Sequence, residues 1–559
     1  MPEVAHGNAG GEVRMTSAKN IRTTDVADDL RSQIGSGVRG ATTLIRAANG
    51  VGIGPAFPAI NISAGGSDRD RKNAKKAAKL VRQAQKALDG RSARGAEKLF
   101  DEAIALLDNP PSQLWCYRLV AASKAANYEY VVNNYQRIRA LVASEAEIAV
   151  VDRSWIDCLI SAGFLHEALR ELETLSVRSA SSWETMATTL GVIHARLGNL
   201  GKAIAIQKEI LAKEPSDVLA RWNLSIHQLE AGELPEAFDN YEARWNWADF
   251  PSERRTFDIP RWSGESLDGK RILVWREQGV GDEIRFAGVL PDLIATGASI
   301  TFESAAKLAP LFVKSFPDVE VRPEQPREKR RRDDYQGFDF EVPIGSLARH
   351  FRPSVAEMQA KCSPWLKRDA EIEAQVRSDI GAAPHQPVIG LCWRSSNQNL
   401  HRNQHYVKGE YLSPLKMLGA AKFICLQYDE CSEEVGLMRE LGLPLYDFPA
   451  IDQMNDLVSA AYLAGACDMV ISAGTATAEL SAGLGIPTVL FGLKHSQTQL
   501  GTDGVPWHPA TRFLSLNPDE PIGVARSILF EWREISAWAE QACVSGRQVD
   551  WRLSFPGAA

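Results

Sequence analysis

The sequence predicts an α solenoid followed by an α/β unit whose two parallel-sheet halves face one another across a cleft. Three observations predict it. From about Asp68 to Trp247 the chain is rich in Ala, Leu, Lys, Arg and Glu, with almost no glycine or proline inside its apolar-periodic segments. Within that stretch, small residues recur about every 34 positions. After "RRTFDIPRWSGESLDGKR" the period changes to short apolar runs separated by helical stretches, the pattern of βα units.

Length and composition bound the rest. A chain of 559 residues exceeds one core and calls for several domains. A formal charge of −7 provides no global field for nucleic acid or an anionic membrane. The basic run "REKRRR" (Arg327 to Arg332) is followed at once by two aspartates and reads as a solvated loop. The eight cysteines show no CxxC pair and no zinc spacing, so they read as reduced, mostly buried thiols. The N-terminus lacks the apolar segment of a secretory signal, and no stretch reaches the roughly 18 apolar residues of a membrane span, so a cytoplasmic address is expected.

Taken in order, residues 1–66 are rich in Gly, Ala, Ser and Thr and predict a flexible tail with one short helix near Thr42 to Ala48. Residues 67–250 form the repeats. Leu190, Gly198 and Ala203 recur as Leu224, Gly232 and Ala237, and "GFLHEA" from Gly163 anticipates "GNLGKA" from Gly198. The glycine frees the turn between paired helices, and the alanine lets the second helix lie close to the first. This period resembles the tetratricopeptide repeat, and about five helix pairs fit the span. Such an array offers a concave face for a partner chain, or serves only as a spacer. Residues 251–370 and 371–559 form the two α/β halves, the second ending in a helix. Strands are predicted at "RILVW", "ASITFES", "DVEVRP" and "FDFEVPIG", then at "PVIGLCWRS", "KFICLQY", "LPLYDF", "DMVISAG" and "PTVLFG". Ligands of such halves sit at the carboxyl ends of strands.

"WREQGVGDEIRF" follows the first of these strands. Gly279 and Gly281 lack the third glycine of GxGxxG and the Lys-Ser/Thr of a P-loop, so a dinucleotide or P-loop cradle is disfavoured. The glycines read as a sharp turn that brings Asp282 to the start of the next helix, as a proton acceptor or as a helix cap. "ISAGTATAELSAGLG" reads as strand, small-residue turn and helix, stopped by Gly485. Amides at Gly474, Thr475 and Ala476 suit a phosphate, or serve only close packing. Arg394, beside Ser395, suits a phosphate or the carboxylate of an acidic sugar. Arg402 and His405 belong to a polar loop suited to close over a donor. Each of these is also readable as surface.

In that order behind the repeats and "YEARW", the motifs "WREQGVGDEIRFAGVLPDL", "VIGLCWRSSNQN", "DMVISAGTATAELSAGLGIPTVLFG" and "LGTDGVPWHP" resemble bacterial repeat-containing glycosyltransferases of the GT-B fold, relatives of the lipopolysaccharide heptosyltransferases. "CWRSS", "RNQHY" and "LQYDEC" are similar to the subgroup that glycosylates flagellin with nonulosonic acids. The resemblance spans about residues 160 to 540. It implies two Rossmann-like domains, a nucleotide-sugar donor such as a CMP-activated sugar, no cofactor and no metal, a flagellin-like protein acceptor recruited by the repeats, and Asp282 as general base. It also exposes departures: heptosyltransferases carry Asp and His where this chain has Gly474 and Glu479, so Glu479 is expected to bond a sugar or ribose hydroxyl. Transfer of N-acetylglucosamine to Ser or Thr, and a noncatalytic scaffold, are the alternatives. If the repeats only recruit the acceptor, an α/β unit beginning near Glu253 should still bind nucleotide.

Overall fold

A computed structural model of the chain describes residues 60, 62, 67–89, 92–178, 183–248, 250–397, 400–508, 510–517, 520, 522–542 and 547–551. The expected tail and its short helix lie outside these residues, apart from positions 60 and 62.

Ten helices open the described chain and pack in sequence as five pairs: Asp68–Asp89 with Ala93–Ala105, Ser112–Lys124 with Tyr128–Leu141, Glu145–Ala162 with Leu165–Arg178, Trp183–Arg196 with Leu200–Lys213, and Val218–Ala231 with Leu234–Tyr241. The recurring small residues explain the packing. Ala203 and Ala237 are wholly buried, where a larger side chain would hold the paired helices apart. Gly163, Gly198 and Gly232 end the first helix of their pairs at φ of 89°, 78° and 80°, the left-handed conformation that costs glycine least.

Those three glycines have a second role that their spacing does not reveal. Each turn abuts the second α/β half, Gly163 at the segment after Asn403 and Gly198 and Gly232 at successive points of the loop between Gly492 and Thr511. A Cβ on Gly163 would lie 3.1 Å from the Gln404 side chain, one on Gly198 3.3 Å from His495 Nε2, and one on Gly232 2.7 Å from the Leu500 carbonyl. Gln404 Nε2 also donates to the Ser161 carbonyl at 3.0 Å. The helical region is therefore fastened along a seam to the α/β unit.

The first half is a four-stranded parallel sheet ordered β3-β2-β1-β4, from β1 (Arg271–Trp275), β2 (Ser299–Ser304), β3 (Glu320–Pro323) and β4 (Phe340–Pro343). The second is a six-stranded parallel sheet ordered β10-β9-β8-β5-β6-β7, from β5 (Val388–Cys392), β6 (Lys422–Cys425), β7 (Leu445–Tyr446), β8 (Met469–Ala473), β9 (Thr488–Gly492) and β10 (Thr511–Ser515). Read from β7 inward, that is the doubly wound order 3-2-1-4-5-6. Every residue of β5, β8 and β9 is buried, which is why these strands read as unbroken apolar runs. One apolar core joins the last helix pair (Trp222, Leu229, Leu234) to the first half (Ile272, Ile284, Phe302) and the facing side of the second (Leu480, Leu484); a separate core lies on the far side of the second sheet. Among the described residues, no helix is long and apolar enough to cross a membrane.

In each sheet the winding direction reverses beside a central strand, between β1 and β4 and between β5 and β8. The helix after β1 (Val280–Ala287) packs against the helix after β8 (Ala476–Gly483), so the two reversal points are brought together.

Candidate functional site

At the first reversal point, β1 leads into the segment from Arg276 to Gly279. The turn expected at the glycines is made by Gln278, a non-glycine residue at φ 61°. Its N–H donates to Ser252 Oγ at 2.6 Å and its Nε2 to the Tyr241 hydroxyl at 2.5 Å, and these bonds offset the strain. Gly279 is the N-cap at φ −85°, a conformation open to any residue. Gly281 is needed for another reason: a Cβ there would stand 3.3 Å from Ala476 Cα, so its absence allows the two halves to approach.

Asp282 lies in the first turn of the Val280–Ala287 helix. Its Oδ2 accepts from the Gly279 N–H at 3.1 Å, so the capping role is realised. Its Oδ1 stands 3.6 Å from Arg285 Nη1, and 31% of the side chain remains exposed. Together with Tyr241, Gln278, Arg285, Gln497 and Trp507 it lines a small cavity where the last helix pair and both halves meet. A carboxylate that caps with one oxygen and faces a cavity can also accept a proton.

Glu479 sits across the junction, already engaged. Its Oε1 accepts from Arg285 Nε at 3.0 Å and also from Nη2, and its Oε2 pairs with His508 Nε2. His508 stacks on Trp365 with ring centroids 5.2 Å apart. Glu479, expected to bond a sugar or ribose hydroxyl, thus meets an arginine of one half and a histidine of the other. Burial by itself would raise the pKa of Glu479, but the charge of Arg285, and then that of His508, outweighs it and holds the group at about 2. A carboxylate depressed in the folded state contributes stability above its unfolded pKa of about 4.5 and loses it as pH falls toward 2. The difference in melting temperature between parent and Glu479→Gln should therefore narrow across that window; a constant difference down to pH 2 would show that Glu479 does not titrate there.

At the second reversal point β8 ends at Ala473. Gly474 is exposed, and a Cβ on it would meet nothing within 4 Å. Thr475 is the N-cap of the Ala476–Gly483 helix, but its hydroxyl lies 3.4 Å from Ser472 Oγ and 3.5 Å from Cys392 Sγ and does not bond a helix N–H. Beside it, past β5, Arg394 donates to Glu434 (Nε to Oε2, 3.0 Å), to Asp429 and to the Glu430 carbonyl, and these carboxylates raise its pKa against the effect of burial. Its guanidinium is thus already met by carboxylates of its own chain. Ser395 Oγ accepts from the Tyr428 hydroxyl at 3.0 Å and from the Asn397 N–H at 3.2 Å.

Arg402 and His405 do not lie on a free lid. Their segment is docked on the helical region through Gln404, and His405 Nδ1 accepts from the Leu493 N–H at 3.4 Å. Burial, reinforced by the charges of Arg196 and Arg402, pushes the His405 pKa down to about 4. The basic run is neutralised too: Arg330 pairs with Glu253 and Glu324, and Arg332 with Asp258. Among the described residues, no group of three or more His, Cys, Asp or Glu converges to hold a metal ion.

No family model matches the chain. Protein FlbA of Caulobacter vibrioides is 33% identical over 298 residues, 51% of this chain and 50% of that protein, so the chain spans about half the length of the relative it matches. Among solved structures, E. coli ADP-heptose lipopolysaccharide heptosyltransferase II is 14% identical with a TM-score of 0.35, covering 47% of this chain and 99% of its own. A glycosyl transferase family 9 protein from Veillonella parvula is 13% identical with a TM-score of 0.36, covering 50% and 99%. A Thermobaculum terrenum O-GlcNAc transferase mutant is 13% identical with a TM-score of 0.28, covering 85% and 95%.

The structure adds Arg285, His508, Gln278 and Trp507 to the residues singled out in the sequence. Arg285 and His508 lie inside motifs already quoted, but a partner 194 positions away leaves no local trace.

Proposed function

We propose that the chain is an inverting, metal-independent protein glycosyltransferase of the GT-B type. The second reversal point takes the nucleotide of an activated sugar, Asp282 takes the proton of a Ser or Thr hydroxyl, and the five helix pairs act as a tetratricopeptide-like solenoid that presents the acceptor protein. The observation that carries this reading is the placement of Asp282. It lies at the reversal point of one doubly wound half, against the corresponding helix of the other, beside a cavity walled partly by the last helix pair. The likeness of "CWRSS", "RNQHY" and "LQYDEC" to flagellin glycosyltransferases favours a nonulosonic acid carried on CMP as donor and a flagellin as acceptor.

Glycopeptide mass spectrometry of cells with and without this chain tests the reading. Sites whose sugar is lost with the chain support it, and an unchanged glycoproteome overturns it. The donor side has its own test, titration calorimetry against CMP, UDP, GDP and ADP. Gly474→Leu adds a side chain where the fold leaves open space, so it should not disturb folding, yet it should weaken nucleotide affinity roughly tenfold or more by blocking the backbone. Parental affinity in that variant would place the nucleotide elsewhere.

A noncatalytic scaffold is the second reading. The observation in its favour is that Arg394 and Glu479 already have charged partners. Failure to bind any of the four nucleotides would favour it.

A further inference from the structure

Cys425 is the last residue of β6, and Cys431 is the N-cap of the helix Ser432–Glu440. Their sulfurs lie 4.0 Å apart. Cys425 is 2% exposed, whereas Cys431 is partly open to solvent. The segment between them encloses the end of β5. Gln427 Oε1 accepts from the Trp393 and Arg394 N–H groups, both at 3.2 Å, while Asp429 and Glu434, on either side of Cys431, hold the Arg394 guanidinium.

We propose that Cys425 and Cys431 are a modification site, a dithiol that a hydroperoxide closes to a disulfide, and that closure loosens the grip of residues 427–434 on the end of β5. The inference stands whether or not the chain transfers sugar. A thiolate at Cys431 attacks a peroxide oxygen; the O–O bond breaks, leaving a sulfenic acid on Cys431 and releasing water after protonation. Cys425 then attacks that sulfur, the S–O bond breaks, and a second water leaves. Two thiols give up two electrons and two protons, and hydrogen peroxide is reduced to two waters.

The division of labour follows from the surroundings. Cys431 is the solvent-accessible member and stands at a helix N-terminus; its hydrogen bond with Cys425 lowers its pKa below the ordinary thiol value, against burial and the charges of Asp429 and Glu434. The Cys425 thiol is pushed up by the same hydrogen bond and by burial, which suits the resolving partner. A disulfide sulfur pair stands about 2.05 Å apart, so closure draws Cys431 toward β6 by about 2 Å. Asp429, two residues before it, and Glu434, three residues after it, flank the atom that moves, so any part of the closure taken up by the backbone displaces the cage around Arg394.

The test uses the reduced full-length chain, treated with hydrogen peroxide under native conditions, alkylated, digested and mapped by mass spectrometry. A Cys425–Cys431 cross-link should form roughly tenfold faster than any other cysteine oxidises, and dithiothreitol should reverse it. In Cys425→Ser, dimedone should trap a sulfenic acid on Cys431. Hydrogen exchange should report faster loss of the Trp393 and Arg394 amide protons after oxidation of the parent, and no change in Cys431→Ser. Oxidation of Cys431 to the sulfinic acid in the parent without a cross-link would overturn the dithiol. A cross-link that leaves both amides protected would overturn its coupling to β5.

Discussion

Asp282→Asn should lower sugar transfer by roughly 10²- to 10⁴-fold, the usual contribution of general-base catalysis, and should leave the melting temperature nearly unchanged. The geometry makes this substitution decisive. The carboxylate already caps its helix through the Gly279 N–H, and an Asn side-chain oxygen accepts the same bond, so the cap is retained while basicity and a 3.6 Å charge contact with Arg285 are lost. Site occupancy in cells carrying the variant, together with thermal melting of the purified protein, checks both halves of the expectation. Near-parental occupancy would leave Asp282 as a cap alone. The other candidate bases are already engaged: Glu479 is held by Arg285 and His508, and His405 accepts from the Leu493 N–H.

How far the sequence foretold this site depends on the range of the interaction concerned. Nine strands were legible from short apolar runs or, as in β3 (Glu320–Pro323) and β4 (Phe340–Pro343), from alternation of apolar and charged residues, and "RILVW" matches β1 residue for residue. β10 (Thr511–Ser515) was missed: it is a half-buried strand carrying Arg512, with no apolar run to announce it. The helix beginning near Thr475 was legible from its strand, its turn and Gly485, which adopts φ 74°. The repeat glycines were read correctly as turns, but their contacts with Gln404, His495 and Leu500 cross more than 200 residues and leave no period. The same limit applies to charge. The partners of Arg394 (Asp429 and Glu434) and of Glu479 (Arg285 and His508) lie on other elements, so the sequence around either residue does not reveal them.

Arg244→Met should cost roughly 3 to 5 kcal/mol of stability, the usual penalty for leaving one member of a buried ion pair uncompensated. Arg244 lies in "YEARW", just after the last helix pair, and is wholly buried. It donates to Glu277 through Nε at 2.8 Å and Nη2 at 2.9 Å, and to Ser346 Oγ at 2.8 Å. Glu277 is just as buried and takes further hydrogen bonds from the Gly345 N–H at 2.9 Å and Gln278 Nε2 at 3.4 Å, so without Arg244 its carboxylate keeps two neutral donors and little solvent. Chemical denaturation of Arg244→Met, Glu277→Gln and the double variant separates pair from packing: the double should recover part of the loss, because Glu277 is then neutral, while Glu242, which Arg244 also holds at 2.8 Å, keeps only Ser346 Oγ and Arg261. A loss below about 1 kcal/mol in Arg244→Met would show that the pair does not hold this junction. The consequence reaches the expectation that an α/β unit beginning near Glu253 keeps its nucleotide site. Such a cut removes Arg244, the Tyr241 hydroxyl that holds Gln278, and the whole glycine seam, so it should unfold the segment carrying Asp282. Substitutions on exposed faces of the helices, which leave Arg244 and the seam in place, are the informative way to ask whether the repeats select an acceptor.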